Sequence, residues 1–188
     1  MKIRTFIALE LPSSFKHELF RQVQLLAGQD KRQHIRWLPP ENYHLTLAFL
    51  GDVDSVRLSG LKFTLEQKLG SVKAVPCKVP TITPFPFSRP KIAAALVECT
   101  VELLQLQTDV ANSARSWGIS LERRRFVPHV TLGRLKPRSG KSVDLQAHNI
   151  LFAGVADTVT LFQSELTPNG AIHTALAEIP LRTLVEWK

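Results

Sequence analysis

Two short segments of this sequence carry the residues best suited to chemistry. Each has a histidine followed two positions later by a threonine, and the two copies stand 85 positions apart: His44-Leu45-Thr46-Leu47 and His129-Val130-Thr131-Leu132. Both lie in apolar runs that are typical of strands. Residues i and i+2 of a strand share a face, so each strand presents one imidazole beside one hydroxyl, with its apolar residues turned to the core.

The chemistry that such a pair supports follows from the pKa of imidazole. Near neutral pH an imidazole can accept or donate a proton, so two of them can act as general base and general acid together. This suits an in-line displacement at phosphorus, in which one histidine activates water and the other protonates the departing oxygen. The threonine hydroxyls can hydrogen-bond the non-bridging phosphoryl oxygens in the transition state. From the residues alone, either histidine can be the acid.

Two other interpretations of the histidines are less favoured. A catalytic zinc site normally has three protein ligands, and neither His44 nor His129 has an Asp or Glu two residues later. A purely structural role, as half-buried histidines in a sheet, fits one copy of the motif better than two. We therefore predict a site with no metal and no cofactor.

The elements that must position the motifs alternate along the chain. Ser13 or Ser14 is expected to cap a first helix that ends near Gly28, and Asp54 or Ser55 to cap the second. Asn169-Gly170 between two strand-like runs predicts a hairpin. We predict strands over 3–9, 36–38, 43–50, 75–82, 92–97, 125–135 and 155–165 and after the hairpin turn, with the second and third helices over 56–69 and 102–117.

This order predicts an α+β fold in which both halves contain strand, helix and strand. The chain has 188 residues, 44% hydrophobic and 21% charged, which excludes disordered and fibrous classes. Because no flexible linker separates the halves, we predict one domain over 1–188 with two lobes.

Charge and cysteine content narrow the partners and the compartment. The formal net charge is +8 and the pI about 9.9, an excess that favours a polyanionic partner without naming it. No apolar run approaches the roughly 18 residues of a membrane span, so no membrane partner is expected. Cys77 and Cys99 form neither a disulfide framework nor a zinc motif, which predicts a reducing cytoplasm.

The paired motifs resemble the two HxTx motifs of the 2H phosphoesterase superfamily, most closely its RNA 2′,3′-cyclic phosphodiesterase branch, also called 2′-5′ RNA ligases. Supporting stretches cover much of the chain: Arg4-Thr5-Phe6-Ile7-Ala8-Leu9, Asn42-Tyr43 before the first motif, Ala48-Phe49-Leu50-Gly51 after it, Arg124-Arg125-Phe126-Val127-Pro128 before the second and Gly133-Arg134 after it.

The resemblance implies a bilobal fold with a pseudo-twofold axis and the motif strands lining a central cleft. It implies metal-independent hydrolysis of an RNA 2′,3′-cyclic phosphate to a 2′-phosphomonoester, with His44 as general acid and His129 as general base. Thr46 and Thr131 would hold the phosphoryl oxygens. If an RNA 5′-hydroxyl replaces water, the same site makes a 2′-5′ linkage, so reversible ligation is a further expectation.

Other residues near the motifs have two possible roles. Arg134 matches the family's arginine after HxTL, but strict alternation turns its side chain away from His129. Arg124, in a basic run, is a second candidate for phosphate or RNA backbone, against a solvated loop. Trp37 and Phe126 are candidates to stack a base, whereas alternation turns Tyr43 and Phe49 to the core. The Pro84–Pro90 segment is predicted as a stiff surface loop, the alternative being a lid or a wall on which a base stacks. Four histidines are predicted to lie outside catalysis: His17, His34, His148 and His173.

Three functions therefore compete. The first is a cyclic phosphodiesterase that acts as a monomer on RNA ends, tRNA fragments among them. The second is an RNA or nucleotide-binding module without turnover, which the intact His and Thr pairs disfavour. The third is a 2H enzyme for small cyclic nucleotides or ADP-ribose 1″,2″-cyclic phosphate, which the basic composition disfavours.

Overall fold

The computed structural model describes residues 2–123, 125–136, 147–168 and 170–183. Within them the chain folds into strands and helices in an α+β order, as predicted. Along the chain the elements are β1 (Lys2–Glu10), α1 (Ser13–Gln29), β2 (Ile35–Trp37), a 3-10 turn (Pro40–Asn42), β3 (His44–Asp54), α2 (Ser55–Leu69), β4 (Val75–Phe85), β5 (Ile92–Leu96), α3 (Val101–Ser116), β6 (His129–Leu135), β7 (His148–Ala156), β8 (Thr158–Thr167) and β9 (Gly170–Pro180).

Local signals explain where the helices begin and end. The Asp54 carboxylate accepts a hydrogen bond from the Arg57 backbone N–H and caps α2, as the sequence predicts. α1 differs, because Pro12 takes the N-cap position and no side chain caps the helix, so the predicted serine cap is wrong. After α3 the chain turns at Gly118, whose φ of +66° favours glycine.

The strands form one antiparallel sheet in the order β7-β4-β5-β6-β3-β1-β8-β9, with β2 also paired to β6. At its centre β3 and β6 share a single ladder pair, Leu45 with Val130. This narrow junction divides the sheet into two halves, which we call the β3 half (β3, β1, β8, β9) and the β6 half (β6, β5, β4, β7). The predicted bilobal architecture is therefore confirmed.

One apolar core lies on one face of this sheet. Leu45 and Val130 of the central pair belong to the same buried cluster as Leu19 of α1, Leu61 of α2 and Leu106 of α3. The helices therefore pack on the face that carries Leu45 and Val130, and by alternation the opposite face carries the histidines and threonines of the two motifs.

The strand predictions needed one addition and one shortening, since the strand predicted over 125–135 begins only at His129. The run predicted as one strand over 155–165 belongs to two strands, because β7 ends at Ala156 and β8 begins at Thr158. Within the described residues β7 pairs with β4 at the edge of the sheet, and its exposed alternate positions include the apolar Leu151 and Val155. Asn169 of the predicted hairpin lies outside the described residues, but β8 and β9 do pair as a hairpin. No helix in the described ranges is long and apolar enough to cross a membrane.

Candidate active site

The two motif strands place their four polar residues on one face of the sheet. His44, Thr46, His129 and Thr131 are each half-buried, whereas the residues between and after them are buried: Leu45, Leu47, Val130 and Leu132. The predicted alternation therefore holds through both motifs.

The register at the junction arranges these four residues around a local twofold axis. Leu45 faces Val130, and in antiparallel strands the positions on either side of such a pair also face one another. Thus His44 takes the position opposite Thr131, and Thr46 the position opposite His129. Because the paired residues are also 85 positions apart, the same offset as the motifs, His44 corresponds to His129 and Thr46 to Thr131.

Each imidazole is held by a backbone carbonyl two residues before it. Nδ1 of His129 lies 2.7 Å from the Val127 carbonyl oxygen, and the His44 ring makes the same kind of backbone bond to Asn42. A carbonyl oxygen only accepts, so the ring nitrogen in each bond carries the proton. In the neutral His129 ring, Nε2 is then left with the lone pair that can take a proton from water.

Burial lowers the pKa of both histidines in the ligand-free protein. The pKa of His44 falls from 6.5 to about 4, chiefly through burial, with smaller contributions from the positive charges of His173, Lys16 and His129, while the bond to Asn42 opposes the fall. Burial also lowers the pKa of His129, against the bond to Val127. A phosphate anion bound between the two rings would favour their protonated forms and raise both pKa values.

Aromatic rings from neighbouring strands surround His44. The Phe6 ring of β1 stacks on it at 5.0 Å between ring centroids, and the Phe162 ring of β8 stacks in turn on Phe6 at 5.1 Å. His173 of β9 meets the His44 ring edge-on at 5.5 Å. No local pattern singles out Phe6, Phe162 or His173, because only the pairing of β3, β1, β8 and β9 brings these rings together.

A different set of rings lies beside His129. Phe85 of β4 lies 4.8 Å from the His129 ring, and Phe87 meets Phe85 edge-on at 5.7 Å. The predicted loop 84–90 therefore begins inside a strand, since β4 runs to Phe85. Phe87 is 69% exposed, so the segment adds an open aromatic face next to the second histidine.

A β-bulge directly after each threonine changes which residues share the site. In β3 the extra residue is Leu47, since Ala8 pairs with Thr46 and Ile7 with Ala48. In β6 it is Leu132, since Ala94 pairs with Thr131 and Ala93 with Gly133. One extra residue reverses the alternation beyond it.

Phe49 and Arg134, the next outward positions, therefore lie on the histidine face. Phe49 pairs with Phe6, whose ring stacks on His44, and it is 61% exposed, so its predicted place in the core is wrong. Arg134 pairs with Ile92, which pairs with Phe85 beside His129. Strict alternation is thus wrong for Arg134 as well, and its side chain lies on the same face of the sheet as His129.

The other sequence candidates divide into core and surface. Tyr43 is fully buried, as predicted, and its hydroxyl donates a hydrogen bond to the Leu38 carbonyl oxygen at 3.1 Å. Trp37 and Phe126 are half-buried and pack against the core. Arg124 lies outside the described residues. Among the residues that the structure does describe, no three His, Cys, Asp or Glu side chains are grouped so that they could hold a metal ion.

Comparison with known proteins places this geometry in a family. The model of the LigT-like phosphoesterases matches residues 9–92 and 96–173. The chain is 31% identical over 183 residues to the RNA 2′,3′-cyclic phosphodiesterase of Thermotoga maritima, covering 94% of each protein. It is 29% identical over 185 residues to the enzyme of the same name from Methanocaldococcus jannaschii, covering 94% of this chain and 99% of the relative.

Solved structures show the same fold. TT0787 of Thermus thermophilus superposes with a TM-score of 0.83 at 22% identity, covering 97% of this chain and all of that one. Escherichia coli LigT in its apo form superposes with a TM-score of 0.79, also at 22% identity, covering 96% and 98%. Together with the family model, which spans both histidine motifs, these similarities show that the chain belongs to the LigT-like phosphoesterase family.

Proposed function

We propose that this protein hydrolyses the 2′,3′-cyclic phosphate at the 3′ end of RNA to a 2′-phosphomonoester. The observation that carries the proposal is the pair of His-x-Thr strands joined at the Leu45–Val130 junction, which presents both histidines and both threonines on one face of the sheet. The relatives that carry the name RNA 2′,3′-cyclic phosphodiesterase support the same substrate.

The reaction needs one proton taken and one proton given. Nε2 of His129 accepts a proton from water as the water oxygen bonds to phosphorus, and the bond from phosphorus to O3′ breaks. His44, protonated in the complex, gives its proton to O3′. The product is a 2′-phosphate with a free 3′-hydroxyl, and the two rings return to their starting states by exchanging protons with solvent.

The assignment of acid and base rests on the family resemblance, since both rings make the same kind of backbone bond. The backbone bond to Val127 leaves Nε2 of the neutral ring ready to accept a proton. His44 donates only after the negative charge of the substrate has raised its low pKa. Its protonation is therefore coupled to binding, which limits proton donation to the complex.

The threonines and Arg134 complete the proposed site. Thr46 and Thr131 donate hydrogen bonds to the two non-bridging phosphoryl oxygens, whose charge grows in the five-coordinate transition state. Arg134 adds a fixed positive charge on the same face. If an RNA 5′-hydroxyl takes the place of water, His129 accepts its proton as O5′ bonds to phosphorus, and the bond from phosphorus to O3′ breaks with a proton from His44. The product is a 2′-5′ linkage, so the same site serves ligation.

Product mapping tests the proposal. Purified protein is incubated in excess EDTA with an oligoribonucleotide that ends in a 2′,3′-cyclic phosphate, and the product is identified by ³¹P NMR. We expect a 2′-phosphate at an unchanged rate. A 3′-phosphate product would contradict the assignment of O3′ as the leaving group, and loss of activity in EDTA would contradict a metal-independent reaction. Binding without turnover would favour the non-catalytic module instead.

A further inference from the structure

Two arginines stand side by side next to the proposed site. Arg36 of β2 pairs with Arg134 of β6, so their side chains leave the same face of the sheet, and both are exposed. Like charges directly opposite each other in a sheet are destabilising. Among the described residues neither arginine has a carboxylate partner within ion-pair distance. An anion between the two guanidinium groups would remove this repulsion.

The β8–β9 hairpin lies against Arg36. A guanidinium nitrogen of Arg36 (Nη2) lies 3.4 Å from the position that a Cβ atom on Gly170 would occupy, so the first residue of β9 is in contact range of Arg36. Three residues later, the His173 ring lies edge-on to the rings of Phe6, at 4.9 Å, and of His44, at 5.5 Å. The hairpin thus links the arginine pair to the proposed acid.

Nε2 of the His173 ring can donate a hydrogen bond. Its Nδ1 is buried and has no hydrogen-bond partner among the described residues. A buried N–H without an acceptor is costly, so the proton of the neutral ring belongs on Nε2, which then is a donor. The positive charge of Arg134 lowers the pKa of His173, second to burial, which agrees with Arg134 lying close to this ring.

We propose that Arg36, Arg134 and His173 bind the phosphodiester group one nucleotide upstream of the cyclic end. The inference rests on the proposed function, since any RNA chain that presents a 2′,3′-cyclic phosphate carries its next phosphate on the 5′ side of the same nucleotide. Guanidinium groups bind phosphate oxygens in bidentate fashion, and the neutral His173 adds a third donor. Arg134 belongs to this subsite and, being on the histidine face, also contributes to binding of the reacting phosphoryl group.

Substrates with and without that phosphate charge test the subsite. The three substrates are a nucleoside 2′,3′-cyclic phosphate, a dinucleotide with the same cyclic end, and the same dinucleotide with an uncharged methylphosphonate linkage. Arg36→Gln is expected to lower the ratio of kcat/KM for the charged dinucleotide to kcat/KM for the methylphosphonate about tenfold, the effect of one charge-assisted hydrogen bond. His173→Phe, which keeps a ring against Phe6, should lower the ratio by a smaller factor.

A matched control and a direct binding measurement make each outcome decisive. Arg115→Gln removes the same charge from an exposed position on α3, and its ratio should equal that of the wild type. An Arg36→Gln ratio equal to that of the wild type would overturn the subsite. If the wild-type protein turns over none of the substrates, the proposed function fails. Calorimetric titration with the two dinucleotides then tests the subsite alone. The ratio of the affinity for the charged dinucleotide to the affinity for the methylphosphonate must fall about tenfold in Arg36→Gln.

Discussion

The β3 half and the β6 half have the same central strand but give its histidine different surroundings. Both strands carry His-x-Thr, a bulge directly after the threonine and an outward side chain five residues after the histidine. In the β3 half that side chain is Phe49 and the histidine lies among Phe6, Phe162 and His173. In the β6 half it is Arg134. The backbone therefore supplies two equivalent positions for the histidines, and the side chains around them make the positions chemically different.

The largest expected effect comes from removing either histidine of the pair His44 and His129. His44→Ala and His129→Ala should each lower kcat for the cyclic phosphate about 10²- to 10⁴-fold, the range for loss of a general acid or base. His17→Ala, at an exposed position on α1, is the matched control and should leave kcat unchanged. A normal rate in either site variant would contradict the two-histidine mechanism.

The same variants distinguish the two halves when the leaving group is changed. With sulfur in place of the 3′ oxygen, the departing thiolate needs no proton. The analogue should therefore restore most of the rate to His44→Ala and little to His129→Ala. Restoration in His129→Ala alone would exchange the acid and base assignments while keeping the pair.

A smaller effect tests the difference between Phe49 and Arg134. Arg134→Gln should lower kcat/KM for the cyclic mononucleotide about tenfold, because it removes a charge-assisted contact to the phosphoryl group. Phe49→Ala should change it less than about threefold, since the ring is mostly exposed and uncharged. Equal losses in the two variants would mean that the two positions are equivalent in function as well as in backbone.

A separate effect, on stability rather than on activity, is a pH dependence to which His44 of the β3 half contributes. The His44 pKa is about 4 in the folded protein, against 6.5 in an unfolded chain. At pH values between these two pKa values the unfolded state binds more protons than the folded state. The free energy of unfolding therefore rises with pH across this interval, and this stabilisation is lost as the pH falls. Urea unfolding should show this loss in wild type and His17→Gln, and a smaller slope, by up to about one proton, in His44→Gln. Equal slopes in all three would contradict the low pKa.

Several parts of the fold could be predicted from local patterns because local interactions decide them. The leucine spacing of α2 and its Asp54 cap lie within a few residues of one another, and both appear in the structure as expected. β7 was not predicted, although residues 150–156 form an apolar run of the kind that predicted other strands. It is an edge strand whose alternate residues are exposed, and its partner β4 is far away in the chain.

The site shows the same division at the level of single residues. Period-two alternation correctly placed His44 and Thr46 on one face, but it failed at Phe49 because Leu47 is an extra residue that only the pairing with β1 reveals. His173 has no motif of its own. It joins the site because β9 pairs with β8, β8 with β1 and β1 with β3.

The sequence by itself determined the chemistry: two imidazoles, each with a hydroxyl on the same strand face, and a basic surplus suited to an anionic substrate. These depend on residue identity and on a two-residue spacing, which the geometry of any strand converts into a shared face. The tertiary structure alone decided the Leu45–Val130 register, the two bulges and the pairing of Arg36 with Arg134. These depend on hydrogen bonds between strands that are far apart in the chain, which no local pattern records.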